Sequence, residues 1–322
     1  MREFKGRRED DRLLTGRGRF TADWNLPEQL YGYFLRSDRA HAEITRIDLA
    51  SALGFPGVKA ILTGEDTADL KTPPPMVRYP GKGGSTIKVP HREVIARKRV
   101  RYVGQEVALV VATSAAAAQD AAEAIEIEYR DLPALVDARA ALEPGAPQLH
   151  DEIPGNLSFD YVYGDEQATE AAFAGAAHVV RLTLDSTRVS GTPMEPKACL
   201  VAYDAHTESF DVYTSTQGLT LMLPNFVAIT GVPAEKIRIH AQDVGGGFGI
   251  RSQAYPEYCA LMLAARKVGK PVKWVGSRFE TIVSDHHGRA AHLEGELARR
   301  LVHQALDEVG DVGAARAAVR GG

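Results

Sequence analysis

The chain has 322 residues, 44% of them hydrophobic and 25% charged, an ordinary globular mix that excludes a disordered or fibrous protein as a whole and leaves room for two domains. With 38 basic against 42 acidic residues the formal net charge is −4, so nothing pulls the whole molecule toward nucleic acid or an anionic membrane. The two cysteines, Cys199 and Cys259, stand in neither a CxxC nor a metal-ligand spacing, which excludes a disulfide framework and fits a reducing cytoplasm.

The N-terminus, Met1 to Arg12, is charged throughout and lacks the apolar core of a signal peptide, and no later apolar run is long enough to span a bilayer; a soluble, unexported protein is expected. The first predicted strand is Gln29 to Ser37. Ile44 to Asp48 alternates as a strand, Leu49 to Leu53 makes one or two helical turns stopped by Gly54, and Gly57 to Leu62 returns as a strand, together a small βαβ-like unit. Residues 64–92, rich in Pro, Gly and Lys, read as a long irregular excursion. A second such unit follows: strand Val107 to Ala112, a helix from Ala115 to Ala124 with Ser114 as N-cap, and strand Ile125 to Tyr129. Around Asp137 to Pro154 the pattern dissolves into a linker composition, which places a domain boundary near 150.

Beyond it, Ala177 to Leu184 and Ser209 to Thr216 alternate as half-exposed strands. Leu219 to Thr230 has helical spacing, and Lys236 to Ala241 is another strand. That strand feeds Gly245-Gly246-Gly247-Phe248-Gly249, and a helix is predicted from Pro256 to Val268, stopped at Gly269. Strand, glycine loop and helix in that order can aim several backbone N–H groups at one oxyanion. The alternative is a tight turn whose glycines supply positive φ. A dinucleotide fingerprint would need glycine where Ile250 stands, and no phosphate-binding Gly-Lys-Ser/Thr loop is present.

The surrounding motifs, Ser215-Thr216-Gln217, Gly231-Val232-Pro233, Ile237-Arg238-Ile239 and Asp243 to Gly249, resemble the molybdopterin-binding large subunit of the xanthine dehydrogenase, aldehyde oxidase and carbon monoxide dehydrogenase family. Gly191 to Pro196 and Gly269 to Lys273 extend the match. Gly18-Arg19-Phe20-Thr21, Pro56-Gly57-Val58, Tyr102 to Gln105 and Leu132-Pro133-Ala134 resemble its hammerhead domain. The resemblance implies an α+β protein: an N-terminal α/β hammerhead domain over 1–150, an incomplete α+β molybdopterin-binding domain over 151–296, and an atypical tail over 297–322.

It further implies a molybdenum–molybdopterin cofactor and hydroxylation of an aldehyde or aromatic N-heterocycle with oxygen from water. Gln217 matches the glutamine that donates to an oxo ligand of the metal, a task suited to a neutral amide. Phe248 and Gly249 match residues whose backbone approaches the metal ligands, and Gly246 and Gly247 match positions that clear space for the cofactor. The ring of Phe248 could equally serve core packing. Ser252 stands where purine-oxidising members engage substrate through a glutamate, which argues against purine oxidation; it could instead N-cap the following helix. Glu195, before a proline, is expected to pin a turn, and no catalytic residue is assigned. His286 and His287, adjacent and without a third ligand, are expected as polar surface or turn residues. The basic run Arg97-Lys98-Arg99 and Arg101 reads as a solvated face.

The family's general-base glutamate lies in a Gly-rich segment near its far C-terminus, and no such segment occurs here. The Ala- and Arg-rich residues after Glu296 read as a foreign helix or frayed tail. The expectation is a truncated large subunit, inactive alone, whose complete form works with iron–sulfur and FAD subunits. The alternatives are a split enzyme completed by another chain or a non-catalytic phosphate- or nucleotide-binding module; besides those subunits, a second copy of the chain or a complementing C-terminal chain is a candidate partner.

Overall fold

The computed structural model describes residues 6–73, 75, 81–288, 290–299 and 314–321. In chain order the elements are α1 (Asp10–Leu14), β1 (Leu30–Arg36), β2 (Ala42–Asp48), α2 (Ala50–Leu53), β3 (Val58–Thr63), β4 (Arg99–Val100), β5 (Glu106–Ala112), α3 (Ala115–Glu123) and β6 (Glu126–Asp131). There follow α4 (Glu166–Ala174), β7 (His178–Ser186), β8 (Val189–Ser190), β9 (Ala198–Asp204), β10 (Ser209–Thr214), α5 (Leu219–Thr230) and β11 (Ile237–His240). The last are α6 (Pro256–Val268), β12 (Val272–Val275), α7 (Arg278–Ser284), β13 (His287–Gly288), β14 (Ala291–Arg299) and β15 (Ala314–Gly321). They form two compact units, one drawn from residues up to 74, 91–133 and 191–286, the other from 75–90, 134–190 and 287 onward.

The first unit is built on a seven-stranded mixed sheet in the order β11-β10-β9-β12-β1-β5-β3, so strands from both sides of residue 150 share one ladder. β5 is buried at every position, as its unbroken apolar run suggests. The two expected βαβ-like units are not closed within one sheet. β3 pairs antiparallel with β5 in the large sheet, whereas β2 pairs antiparallel with β6 in a separate sheet with β4. The units interleave because β5 is apolar on both faces and needs a central place, while β6 alternates and suits a sheet with one wet face. Ser114 caps α3 by accepting the Ala117 N–H at 3.1 Å, and the helix buries Ala118, Ala121 and Ala122 against Ala108 and Val110 of β5.

Helix α6 covers the large sheet. Tyr258, Leu261, Met262 and Ala265 pack among Phe34, Leu109, Val201 and Trp274, each large side chain contributing about 1.5–3 kcal/mol by leaving water. Gly32 on β1 permits the close approach, since a Cβ there would lie 3.1 Å from Leu109 and 3.2 Å from Leu261. The helix ends where Gly269 turns left-handed at φ 62°. Both cysteines are free and buried.

A cluster of charges lies inside this unit. Arg36 of β1 reaches Glu106, Glu257 and Glu280, each at 2.8 Å, and Lys197 meets Glu257 at 2.6 Å and Ser284 Oγ at 2.8 Å. Burial opposes the Glu257 charge, but Lys197 and Arg36 outweigh it and hold the carboxyl below the ordinary glutamate range. Glu106 has weaker support, and burial, followed by the charge of Glu257, pushes its carboxyl up to about 7. The basic run pairs locally, Arg97 with Glu65 at 3.0 Å and Arg99 with Glu43 at 3.6 Å.

In the second unit β7, β14 and β15 form an antiparallel sheet in the order β15-β14-β7, and β8 pairs with β13. The expectation of a half-exposed β7 is corrected: all nine residues are exposed. The expected helix or frayed tail after 296 is likewise corrected where it can be compared, because Leu297 to Arg299 complete β14 and Ala314 to Ala317 pair with Ala298 to Gly295; residues 300–313 lie outside the described residues. Strand pairing there supplies ladder hydrogen bonds that override the helix propensity of alanine. Among the described residues no helix is long and apolar enough to cross a membrane.

Candidate functional site

Three stretches of the first unit meet. Residues 215–218 link β10 to α5 and carry Gln217; residues 243–252 follow β11 and form the glycine turn; residues 191–196 precede β9. The first two touch through Gly247, where a Cβ would lie 2.4 Å from both Cγ and Cδ of Gln217, so only glycine allows this approach. Gly246 and Gly249 take φ of 116° and 86°, and the non-glycine residues Thr192 and Phe248 are also left-handed, at 38° and 49°. Strain of this kind persists where surrounding bonds hold it.

Those bonds are specific. The Arg251 N–H donates to Gln217 Oε1 at 3.2 Å, and the Gln217 N–H donates to the Arg251 carbonyl at 3.0 Å. The first fixes the amide's orientation, since an N–H donor must face the carboxamide oxygen, and leaves Nε2 as the outward donor. Among the described residues, none of the N–H groups of Gly246, Gly247, Phe248 and Gly249 is hydrogen-bonded. A neutral side-chain donor therefore stands beside a turn with unspent backbone donors, a set suited to an anionic or oxygen-rich group.

Two carboxylates secure the entry to the turn. Glu195 accepts the Gly245 N–H at 2.8 Å through Oε2 and the Thr21 N–H at 3.0 Å through Oε1, so it pins a turn. Asp243 accepts both guanidinium nitrogens of Arg12 and the Arg19 N–H. The hydrogen bond from Arg12, then that from Arg19, holds its carboxyl below the ordinary aspartate range.

The structure brings Gln217, Gly246, Gly247, Phe248 and Gly249 together, with Ser252 three residues beyond. Two alternative readings are corrected. Phe248 is 70% exposed, because its left-handed backbone turns the ring outward, so it does not serve core packing. Ser252 does not cap α6; the N-cap is Tyr255, and the Ser252 hydroxyl donates to the Gly249 carbonyl at 3.2 Å, closing a short turn of its own. His286 is also not a surface residue. It is half-buried against Tyr255, with Nε2 3.2 Å from Arg92 Nη1; burial, then the Arg92 charge, lowers it to about 4. No cluster of three His, Cys, Asp or Glu side chains able to hold a metal occurs among the described residues.

Sequence reasoning missed Arg251 and Asp243. Nothing local marks Arg251, at the end of a glycine loop, as a site residue, yet its side chain is fully buried. The pairing of Arg12 with Asp243 spans 231 residues, and no local pattern announces it.

The donor set and the glycine cradle at Gly247 fit a pterin cofactor that presents oxygen acceptors. Residues 149–302 match the molybdopterin cofactor-binding domain, and residues 15–133 match the a/b hammerhead domain of aldehyde oxidase and xanthine dehydrogenase. The chain is 34% identical over 310 residues to the carbon monoxide dehydrogenase large chain of Hydrogenophaga pseudoflava, covering 92% of this chain and 38% of that one. It is 30% identical to the nicotinate dehydrogenase large molybdopterin subunit of Eubacterium barkeri, with 94% of this chain and 68% of that subunit covered. The crystal structure of quinoline 2-oxidoreductase from Pseudomonas putida 86 superposes with a TM-score of 0.79 at 36% identity, over 91% of this chain and 37% of that one. The chain thus spans little more than a third of the length of the first and third of these relatives.

Proposed function

Because this chain belongs to the molybdopterin-binding large-subunit family of xanthine dehydrogenase, aldehyde oxidase and carbon monoxide dehydrogenase, we propose that it forms one wall of a molybdenum hydroxylase active site acting on aldehydes or aromatic N-heterocycles. The cofactor, when bound, supplies the two-electron oxidation that inserts oxygen from water. The chain's own residues bind and orient it. Gln217 Nε2 donates to an acceptor on the cofactor, the N–H groups of Phe248 and Gly249 donate beside it, and Gly246 and Gly247 give clearance. Ser252 is the residue we assign toward substrate; its hydroxyl proton goes to the Gly249 carbonyl, so it offers an acceptor oxygen where a carboxylate would favour purines. The observation that carries the reading is the Gln217 carboxamide, fixed by the Arg251 N–H at 3.2 Å so that its donor end is free beside the unspent turn.

The general base, and the remaining enclosure of the cofactor, come from the portion of the relatives that this chain does not span, and electrons leave through iron–sulfur and FAD subunits. The same stretch fills 68% of the Eubacterium barkeri subunit but 38% of the carbon monoxide dehydrogenase chain. The test is expression in a host that makes the cofactor, with molybdenum and pterin measured per chain and dye-linked aldehyde oxidation assayed. Molybdenum and pterin should copurify with the wild type and fall in Gln217→Ala, with turnover only when the missing portion is co-expressed. Tight nucleotide binding by calorimetry, without molybdenum, would overturn the reading.

A further inference from the structure

Arg251 lies in the short turn Ile250–Ser252 that leaves the glycine loop, and its side chain is fully buried. A guanidinium that deep is expensive unless its donors are spent. Only part of this one is: Nη2 donates to the Glu195 carbonyl at 3.2 Å, while Nε and Nη1 have no hydrogen-bond partner among the described residues. Asp285 Oδ2 is 4.0 Å from Nη1, and the guanidinium sits 5.7 Å from the centre of the Tyr255 ring. The Tyr255 hydroxyl in turn reaches Asp285 Oδ1 and the Ile250 carbonyl. A buried polar group so incompletely satisfied calls for a role other than stability.

The bonds it does make define that role. Glu195 bonds the entry of the glycine loop twice: its N–H donates to the Gly245 carbonyl at 3.2 Å, and its carboxylate takes the Gly245 N–H at 2.8 Å. Arg251, at the exit, holds the carbonyl of that same Glu195. Both ends of the turn are therefore tied to one residue, and the unspent N–H groups of residues 246–249 hang between the ties. The backbone of Arg251 also takes the Gln217 N–H at 3.0 Å and the Thr216 hydroxyl at 3.2 Å, and gives its own N–H to Gln217 Oε1. We propose that Arg251 is the positioning residue of the cofactor turn: its guanidinium, bracketed with Glu195, fixes both the curvature of residues 245–251 and the direction of the Gln217 donor. The inference rests on the reading of that turn as the cofactor wall.

The test compares wild type with Arg251→Met and Arg251→Lys by hydrogen–deuterium exchange, which needs no bound cofactor, and by molybdenum content. In Arg251→Met the hydrogen-bonded amides of the turn, those of Gly245, Ile250 and Arg251, should exchange about tenfold faster while peptides from β5 and β9 keep their protection; molybdenum per chain should fall. Arg251→Lys, which keeps the charge but not the fork, should lie between. Unchanged exchange at 245–251 would overturn the proposal, and so would a rise spread equally over β5 and β9, the mark of a merely structural role. If Arg251→Met fails to fold, Glu195→Gln serves instead: losing one carboxylate acceptor should loosen the same amides, and full protection there would overturn the bracket. Gln217→Ala separates the two readings, for full molybdenum in that variant sinks the cofactor assignment while the exchange result still decides the role of Arg251.

Discussion

Opposite charges face each other both in the core of the first unit and across β7 and β14 of the second, yet they hold different things together. Around Arg36 and Lys197 the ions have left water: Glu257 and Lys197 are fully buried, so each charge depends on its partner. On the β7–β14 ladder Arg181 faces Glu296, and His292 sits 2.6 Å from Asp185, with Arg181 and Asp185 well exposed. Water there competes with every contact. The difference teaches that a pair's consequence follows its dielectric surroundings more than its distance.

The sharpest way to break this contrast is Glu257→Gln. Removing that charge leaves Lys197 without its only carboxylate among the described residues and Arg36 short of one of three, and breaking a buried pair from one side costs about 3–5 kcal/mol. Urea unfolding should show a loss of that size; a change below about 1 kcal/mol would mean the cluster is wetter than its geometry implies.

Next comes the pH dependence of the same region. Arg92 Nη1 can only donate, so His286 Nε2 at 3.2 Å must present a lone pair, and the imidazole stays neutral down to about 4. The unfolded chain takes up that proton near the ordinary histidine value, about 6.5. Between roughly 6.5 and 4 the unfolded state therefore binds more protons, and His286 withdraws on the order of 2–3 kcal/mol of stability as the pH falls. Glu106 acts in the opposite sense, since its carboxyl keeps a proton in the folded state up to about 7 and weakens the fold as pH rises toward that value. The variant His286→Phe isolates the first effect: its urea midpoint should fall less than the wild type's between pH 7 and 4.5. Equal falls would remove His286 from the account.

Smaller effects are expected at the glycine turn. A Cβ at Gly245 would lie 2.4 Å from Glu195 Cβ and 3.1 Å from its backbone nitrogen, so Gly245→Ala should cost about 1–3 kcal/mol by overpacking. At Gly247 the clash falls on the side chain of Gln217, which can swing aside. Gly247→Ala should cost under about 1 kcal/mol by urea unfolding but turn the Gln217 amide away and lower molybdenum content. Equal stability losses in the two variants would show that Gln217 is held as rigidly as backbone.

Local signals carried much of this architecture. The bounds of α5 and α6 follow from their periodicity, a proline start and glycine stops, and Ser114 announces its helix by cap chemistry. The strands β1, β2, β3, β5, β6, β7, β10 and β11 are legible as strands, but the buried central strand β9 has no such signal, and strand partners are not legible, because β3 and β5 join one sheet while β2 and β6 join another through contacts distant in sequence. Gln217 and the glycine turn were reached through motif resemblance, and their contact at Gly247 is tertiary. Arg251 escaped notice because its meaning lies in burial and in Glu195, 56 residues away. The Ala-rich C-terminus misled for the converse reason: helix propensity is a weak prior, and a neighbouring strand edge at β14 took precedence.

The smallest effect belongs to the exposed ladder. Alternation along β7 puts Val180, Leu182 and Leu184 on one face and Arg181, Thr183 and Asp185 on the other, and Arg181 bonds Glu296 across the strands while 74% of its side chain stays in water. An exposed pair gains little over hydration and must order a long side chain. Arg181→Ala should therefore shift stability by less than about 1 kcal/mol, and the shift should shrink further in 1 M salt, where the screening length falls to about 3 Å. A salt-insensitive loss above about 2 kcal/mol, in the range set by buried charges, would place this ladder with the Arg36 cluster and erase the distinction between the two regions.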